Sequence, residues 1–397
     1  MKMINAYRLA IVSLAITLLN TPAVAEDQPP KIGMIYWVGA NKLTRANADG
    51  TDIEHVVRDL EAPDGVSLDL LSNTVYWTNM GDGPTGSVQR AHLDGTPIKG
   101  DGKYLVQPGK IYTGKEMELD LLNKKLYWSD RDAARIMRAD LDGSNLETLV
   151  TAFTDKKGVE HSLLNPVGMA LDIERQKMYF TDRYTGMIYR ADMNPPEAST
   201  HATRTDIEVL VAGVPMEERP IDIDLDLDKG KMYWTDRHTK KVLRANLNGS
   251  KIETLIDESK TAIRIPIGLT LELGSKKMYW SDPATRTIQR ANLDGTKIEE
   301  IVPAGQYRPL GLEFAAIQPE SGPKKGGRRI AIIGSNFVPG KTTVHFGKLE
   351  ATKVEVLTPH PLQATTPRAK HGNVNLTVTT PAGKTIRANS YKYVSNK

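Results

Sequence analysis

The tetrapeptide Tyr233-Trp234-Thr235-Asp236 is one copy of a motif that recurs along this chain and decides its fold. All five tryptophans of the sequence lie in copies of this motif, and a sixth copy has Phe in place of Trp. The other copies are Tyr36-Trp37-Val38-Gly39, Tyr76-Trp77-Thr78-Asn79, Tyr127-Trp128-Ser129-Asp130, Tyr179-Phe180-Thr181-Asp182 and Tyr279-Trp280-Ser281-Asp282. Successive copies are 40, 51, 52, 54 and 46 residues apart. Because a four-stranded propeller blade takes about 40 to 50 residues, the sequence predicts an all-β protein with a six-bladed propeller.

Each repeat reads as four short strands in a fixed order. An apolar strand comes first, and the Tyr-Trp strand follows it. A third strand ends in Arg-Ala, as at residues 290–291, and in five of the six repeats an Asp-Gly or Asn-Gly turn follows, the exception being Asn194-Pro195. A fourth strand alternates polar and apolar residues, as at 252–256. The first Tyr-Trp strand, near residues 33–39, has no apolar strand before it, and the last apolar strand, residues 309–314, has no Tyr-Trp strand after it. We therefore expect these two segments to complete one blade and to close the ring.

The first 25 residues have the pattern of an export signal. Lys2 and Arg8 make a basic start, residues 9–19 are apolar, and Ala23-Val24-Ala25 is a small-residue cleavage site. The apolar run is too short to span a bilayer and no second run follows, so we expect no transmembrane segment in the mature chain. The chain has no cysteine and therefore no disulfides. We expect an exported bacterial protein that is periplasmic, secreted or at the cell surface.

The C-terminal segment differs from the repeats in charge and in pattern. Residues 317–397 contain 13 Lys or Arg and 3 Asp or Glu, whereas the formal charge of the whole chain is only +4. Short alternating strands separated by Gly and Pro predict a small β-sandwich there. The sequence thus divides into a signal peptide at 1–25, a propeller at 26–316 and a sandwich at 317–397.

The repeats resemble the YWTD repeats of low-density lipoprotein receptor class B modules, since both the Tyr-Trp and the Arg-Ala motifs recur in register. The C-terminal segment is similar to an IPT/TIG immunoglobulin-like domain. The first resemblance implies a non-enzymatic scaffold for protein ligands, in which the motif residues are structural. It also implies that Asp130, Asp182, Asp236 and Asp282 form hydrogen bonds within or between blades. The second resemblance implies a spacer, docking or adhesion module.

Acidic residues on the innermost strands are candidates for a metal site. Aligned positions form one ring of Gly65, Glu116, Gly168, Asp222, Gly268 and Gly311, and a second ring of Ser67, Glu118, Ala170, Asp224, Thr270 and Glu313. In the second ring Glu118, Asp224 and Glu313 fall on alternate blades, so three carboxylates could converge on a calcium or magnesium ion. The alternative is a water-filled channel that keeps the carboxylates apart. A metal site would favour a metal-dependent hydrolase, lactonase or lyase as the alternative function, although no nucleophile or general base stands out.

A second candidate site is the propeller face onto which the loops after the Tyr-Trp strands open. Those loops contain Arg131, Arg183, Tyr184, Arg237, His238 and Arg286. An arginine-rich rim could bind a polar or anionic partner, and the alternative is that these are ordinary solvated arginines. The sequence therefore predicts that this face binds a protein or glycan without catalysis.

A third candidate is the basic cluster of Lys324, Lys325, Arg328 and Arg329 in the sandwich. Such a cluster could bind an anionic cell-surface polymer. The alternative is a solvated loop that docks on the acidic propeller. No aromatic residues interleave these charges, so we expect no nucleic-acid partner.

Overall fold

The computed structural model describes residues 31–395 except 214, 216, 306 and 358–360. The predicted export signal lies outside the described residues and remains a prediction. No helix in the described part of the chain is long and apolar enough to cross a membrane.

Six antiparallel four-stranded sheets follow one another around a ring, and we number these sheets blades 1 to 6. From the centre outwards, the strands are Leu312–Ala315, Met34–Gly39, Lys42–Asn47 and Glu54–Val57 in blade 1; Pro63–Asp69, Thr74–Asn79, Gly86–His92 and Val106–Ile111 in blade 2; Gly114–Asp120, Lys125–Asp130, Arg135–Asp140 and Glu147–Val150 in blade 3; Pro166–Asp172, Lys177–Asp182, Met187–Asp192 and Glu208–Ala212 in blade 4; Pro220–Asp226, Lys231–Asp236, Lys241–Asn246 and Glu253–Ile256 in blade 5; and Leu269–Glu272, Lys277–Asp282, Thr287–Asn292 and Glu299–Val302 in blade 6. A separate hairpin, Ala152–Thr154 with Glu160–Ser162, follows blade 3.

Blade 1 closes the ring as the sequence predicts. Its innermost strand comes from the far end of the propeller segment and pairs with the first Tyr-Trp strand, with Tyr36 opposite Glu313. The closure leaves no free edge at the junction of the two chain ends.

The third motif position holds neighbouring blades together. The hydroxyl of Thr181 accepts a hydrogen bond from the amide of Gly168 in its own blade and donates one to the carbonyl of Ile221 in the next blade, at 2.8 and 2.7 Å. Thr78, Thr235 and Ser281 make the same two contacts in their blades.

The arginine of each Arg-Ala pair forms a second link between blades. Its guanidinium donates to a carbonyl of the next blade around the ring: Arg45 to Leu93, Arg90 to Leu141, Arg138 to Met193, Arg190 to Leu247, Arg244 to Leu293 and Arg290 to Ala48. The last of these bonds joins blade 6 to blade 1. The ring is therefore rigidly cross-linked by side chains of the repeat itself.

The motif aspartates bond within their blades. The buried carboxylate of Asp182 accepts hydrogen bonds from the amides of Leu164 and Asn165, which enter the innermost strand, and from those of Tyr184 and Thr185 in the next turn. Asp130, Asp236 and Asp282 also accept amide hydrogen bonds from the segment that enters the innermost strand of their own blade. These contacts match the structural role that the resemblance implies.

The C-terminal segment forms a sandwich of two five-stranded sheets. One contains Lys31–Ile32, Ile317–Gln318, Arg329–Ser335, Pro361–Thr365 and Thr352–Val356; the other contains Ser321–Pro323, Gly383–Val394, Gly372–Thr380, Thr343–Phe346 and Leu349–Glu350. The sequence division assigns Lys31–Ile32 to the propeller, yet this strand pairs with Ser335 and Gly334 of the sandwich. The strand just before the first propeller strand thus belongs to the sandwich. The all-β fold class is confirmed.

The sandwich lies across the end of the propeller at which the innermost strands finish. Its contacts reach four blades: Ser335 with Asn47 of blade 1, Gln318 with Leu68 and Leu70 of blade 2, Lys392 with Asp228 after the inner strand of blade 5, and Arg387 with Glu272 of blade 6. Blades 2 and 5 are opposite each other in a ring of six. The sandwich therefore spans this end of the channel. Among the described residues, no hydrogen bond or ion pair joins the sandwich to the other face of the propeller, which we call the open face.

Candidate functional site

The open face carries a cavity of about 660 Å³ at the centre of the ring, which we call the cationic cavity. The segments that enter the innermost strands and the turns after the Tyr-Trp strands supply its wall. Its charged lining consists of Asp64, Lys115, Arg131, Arg183, Arg237, Arg286 and Arg308. Much of the remaining lining is apolar, including Val167, Ile221, Ile265, Ile267 and Leu310.

The cationic cavity gathers four of the six residues that the sequence predicts for this face. Arg131, Arg183, Arg237 and Arg286 line it. Tyr184 lies beside it, where its ring packs against the Arg183 guanidinium at 4.9 Å from the ring centroid. His238 is not part of the lining, and its backbone amide donates to Asp236 in the turn.

Sequence reasoning missed Lys115 and Arg308, which also line the cavity. Lys115 is the second residue of the innermost strand of blade 3, and Arg308 precedes the innermost strand of blade 1. Because the start of each innermost strand shares a face with the end of each Tyr-Trp strand, cations at these starts are the signal that could have identified both.

Two of the cations have carboxylate partners. The buried Lys115 ammonium is paired with Asp64, and burial lowers the pKa of Lys115. The guanidinium of Arg131 lies 2.8 Å from Asp132, which lowers the pKa of Asp132 to about 2. Burial, together with the charges of neighbouring arginines, lowers the pKa of Arg237.

Below the cavity, the innermost strands form the predicted second ring. Glu118, Asp224 and Glu313 each lie opposite the tyrosine of their blade's motif, which places them at equivalent positions. Burial raises the pKa of all three carboxyls, and their mutual repulsion raises the pKa of Glu118 and Glu313 further. Glu320 of the sandwich also raises the pKa of Asp224 and Glu313.

These carboxylates do not fit the predicted calcium or magnesium site. Within residues 31–395 as described, no three His, Cys, Asp or Glu side chains are placed so that they could hold a metal ion. Asp224 instead accepts hydrogen bonds from the amides of Leu225 and of Leu271 in blade 6, at 2.6 and 2.8 Å. Its carboxylate is thereby held against the neighbouring blade. Glu118, Asp224 and Glu313, as the structure places them, thus do not form the ligand set that a metal-dependent hydrolase, lactonase or lyase would need.

The channel carboxyls predict an unusual pH dependence of stability. Burial raises the pKa of Asp224 to about 7 and that of Glu118 well above its ordinary value. Because the folded chain then binds protons that the unfolded chain has released, the free energy of unfolding falls as the pH rises from about 4 towards 7. We expect Glu118→Gln to raise the free energy of unfolding by more than about 1 kcal/mol at pH 8, since a pKa difference of one unit corresponds to about 1.4 kcal/mol.

Urea unfolding at pH 5 and pH 8 measures this effect. The increase in the free energy of unfolding caused by Glu118→Gln should be smaller at pH 5 than at pH 8. The matched control is Glu197→Gln, because Glu197 is exposed on a loop. An equal pH dependence in the two variants and the wild type would show that Glu118 ionises normally.

The basic cluster of the sandwich is only partly brought together. Lys324 and Lys325 line a second cavity, of about 830 Å³, with Arg368, Lys370 and His371. Arg328 and Arg329 are exposed outside that lining. In the part of the chain described, no ion pair joins the four predicted residues to the propeller.

Comparisons with known proteins agree with the observed architecture. A model of the low-density lipoprotein receptor repeat class B matches residues 230–271, and a model of the IPT/TIG domain matches residues 312–394. The chain is 32% identical over 209 residues to low-density lipoprotein receptor-related protein 1 of Pyricularia oryzae, which covers 49% of this chain and 64% of that protein. It is 31% identical over 235 residues to the 3-hydroxyacyl-CoA dehydrogenase-like protein LAM1 of Cochliobolus heterostrophus, over 55% of this chain and 48% of that protein.

The chain thus spans less than two thirds of the length of either relative. Among solved structures, a chain of a nidogen/laminin complex superposes with a TM-score of 0.56 at 20% identity, over 71% of this chain and 98% of that chain. The nidogen chain is a YWTD β-propeller, and the match shows the fold. Residues 230–271 thus match a low-density lipoprotein receptor class B repeat within a propeller that has the fold of a YWTD β-propeller, and residues 312–394 match an IPT/TIG domain.

Proposed function

We propose that this protein is a non-enzymatic binding protein that holds a protein ligand at the open face of its propeller. A YWTD propeller with an IPT/TIG domain indicates a protein-interaction module. We choose the open face because the cationic cavity lies there, a preformed concave site at the centre of the ring.

The rigidity of the ring favours binding at this face. Hydroxyl and guanidinium links fix each blade to the next. The turns that line the cavity are therefore held in place before a ligand arrives, and little conformational entropy is lost on binding. The opposite face offers less free surface, since the sandwich spans it.

The sandwich fits the role of a docking module or spacer. Its links to blades 1, 2, 5 and 6 hold it at the end of the ring away from the cavity. We propose that export delivers the protein to the place where it meets its ligand, and the N-terminal pattern supports this part of the proposal.

The test begins with the purified chain from Glu26 onwards, immobilised and exposed to a native extract of its source organism. Retained proteins are identified, purified singly and titrated by calorimetry against the wild type and against the double variant Arg183→Gln/Arg237→Gln. We expect a purified partner to bind the wild type and to bind the double variant at least about tenfold more weakly, a difference of about 1.4 kcal/mol.

Arg175→Gln is the matched control, because Arg175 lies in a turn at the sandwich end of blade 4. It should bind like the wild type. A partner that binds the double variant and the wild type equally would exclude this face as the site. Retention of a glycan, with no protein that binds after purification, would contradict the proposed ligand class.

A further inference from the structure

The lining of the cationic cavity has an unbalanced charge. Six Lys and Arg side chains face one carboxylate, that of Asp64. Asp64 is already paired with Lys115, and Asp132 outside the lining is paired with Arg131. The other four cations of the lining are Arg183, Arg237, Arg286 and Arg308.

Those four have no carboxylate partner among the residues that the structure describes. Among the described residues, Arg286 donates to the carbonyl of Gly305 alone, at 3.4 Å, and Arg183 stacks on Tyr184. Arg237 and Arg308 form no ion pair within the same part of the chain. In addition, the Nε of Arg183 is buried and has no hydrogen-bond acceptor in the part of the chain that the structure describes.

Such an arrangement is unfavourable without a ligand. Like charges that converge in a partly buried site repel one another, and a buried N–H without an acceptor loses its hydration without compensation. A carboxylate that enters the cavity removes both costs, because guanidinium groups bind carboxylates through paired, charge-assisted hydrogen bonds.

The apolar part of the lining restricts the ligand further. Val167, Ile221, Ile265, Ile267 and Leu310 offer a surface that a small inorganic anion cannot cover. A volume of about 660 Å³ accommodates a few side chains. The ligand therefore combines carboxylates with at least one apolar group.

We propose that the cationic cavity binds an acidic peptide segment, whose Asp or Glu carboxylates bind Arg183, Arg237, Arg286 and Arg308 while a neighbouring apolar side chain contacts the isoleucines. This inference rests on the proposed function, since it identifies the part of a protein ligand that the propeller recognises.

The test uses a fluorescent hexapeptide of sequence Glu-Leu-Glu-Glu-Leu-Glu with blocked ends, and the same peptide with Gln in place of each Glu. Fluorescence anisotropy measures binding to the full mature chain. We expect the Glu peptide to bind at least about tenfold more tightly than the Gln peptide, and its affinity to fall as salt is added because screening weakens the ion pairs. Arg183→Gln/Arg237→Gln should weaken the Glu peptide at least about tenfold, and Arg175→Gln should have no effect.

Equal affinities for the Glu and Gln peptides, or equal binding by the double variant and the wild type, would overturn the proposal. Displacement of the peptide by inorganic phosphate at the same concentration would also overturn it, because the cavity would then select a free anion. Thermal unfolding of each variant shows whether it is folded. Arg183→Lys/Arg237→Lys, which keeps the charge but loses the paired geometry, should bind more weakly than the wild type and more tightly than the Gln double variant.

The two proposals fail in different ways. If a purified protein partner binds at this face but the Glu peptide does not compete with it, the acidic-segment inference fails and the proposed function stands. If the Glu peptide binds in the cavity but no protein partner is found, the proposed function fails and the chemical selectivity of the cavity stands.

Discussion

Gly168→Ala is expected to lower the free energy of unfolding by about 3 kcal/mol or more. Gly168 lies on the innermost strand of blade 4, and a Cβ added there would be 2.1 Å from the carbonyl oxygen of Ile221 and 2.7 Å from the Cα of Asp222. Both atoms belong to the backbone of blade 5, so no side-chain rotation can relieve the clash. The two innermost strands would have to move apart, which would also break the hydrogen bond from Thr181 to Ile221.

Urea unfolding of Gly168→Ala beside Gly102→Ala measures this effect. A Cβ at Gly102 meets no atom within 4 Å, so the control should change the free energy of unfolding by no more than about 1 kcal/mol. If the two variants are equally stable, the innermost strands of blades 4 and 5 are not in close contact.

Asp182→Ala is expected to cost roughly 4 kcal/mol of stability. The carboxylate is completely buried and accepts four backbone hydrogen bonds, which alanine would leave without an acceptor. A buried donor that loses its partner costs about 1 to 3 kcal/mol, and partial relaxation of the two segments reduces the sum. Denaturant unfolding measures the difference.

The matched control for Asp182 is Asp142→Ala. Asp142 also accepts hydrogen bonds within a turn, from the amide and hydroxyl of Ser144, but it is exposed. Water replaces its contacts, and the expected cost is below about 1 kcal/mol. A loss at Asp182 as small as that at Asp142 would mean that water reaches the amides around Asp182.

Much of the fold can be predicted from the sequence because the same four-strand pattern occurs six times. The closing blade follows from one surplus apolar strand at the end and one surplus Tyr-Trp strand at the start, and the pairing of Tyr36 with Glu313 confirms it. The shared face of Arg131, Arg183 and Arg237 also follows, since each stands directly after the same motif.

What could not be predicted depends on distances between blades. The hydrogen bond between Asp224 and the next blade forms because the amide of Leu271, 47 residues away, lies within reach of a short side chain. The sequence pattern of one strand does not reveal how close a side chain lies to the next blade. For that reason the three carboxylates of the second ring were predicted to converge on a metal ion. The carbonyl partners of the Arg-Ala arginines were missed for the same reason, because Arg45 and Leu93 are 48 residues apart.

The pairing of early strands with late strands, where the propeller meets the sandwich, determines the order in which the chain can fold. The strands Lys31–Ile32 and Met34–Gly39 are synthesised before blades 2 to 6, yet Lys31–Ile32 pairs with Arg329–Ser335, and the inner edge of Met34–Gly39 pairs with Leu312–Ala315. Met34–Gly39 can pair early with Lys42–Asn47, but its inner edge and the strand Lys31–Ile32 stay unpaired while the ribosome makes blades 2 to 6, and blade 1 is completed only after Leu312–Ala315 has been made. Because unpaired strand edges favour aggregation, the nascent chain is most vulnerable during this interval, and a factor that shields its first strands would raise the yield of folded protein.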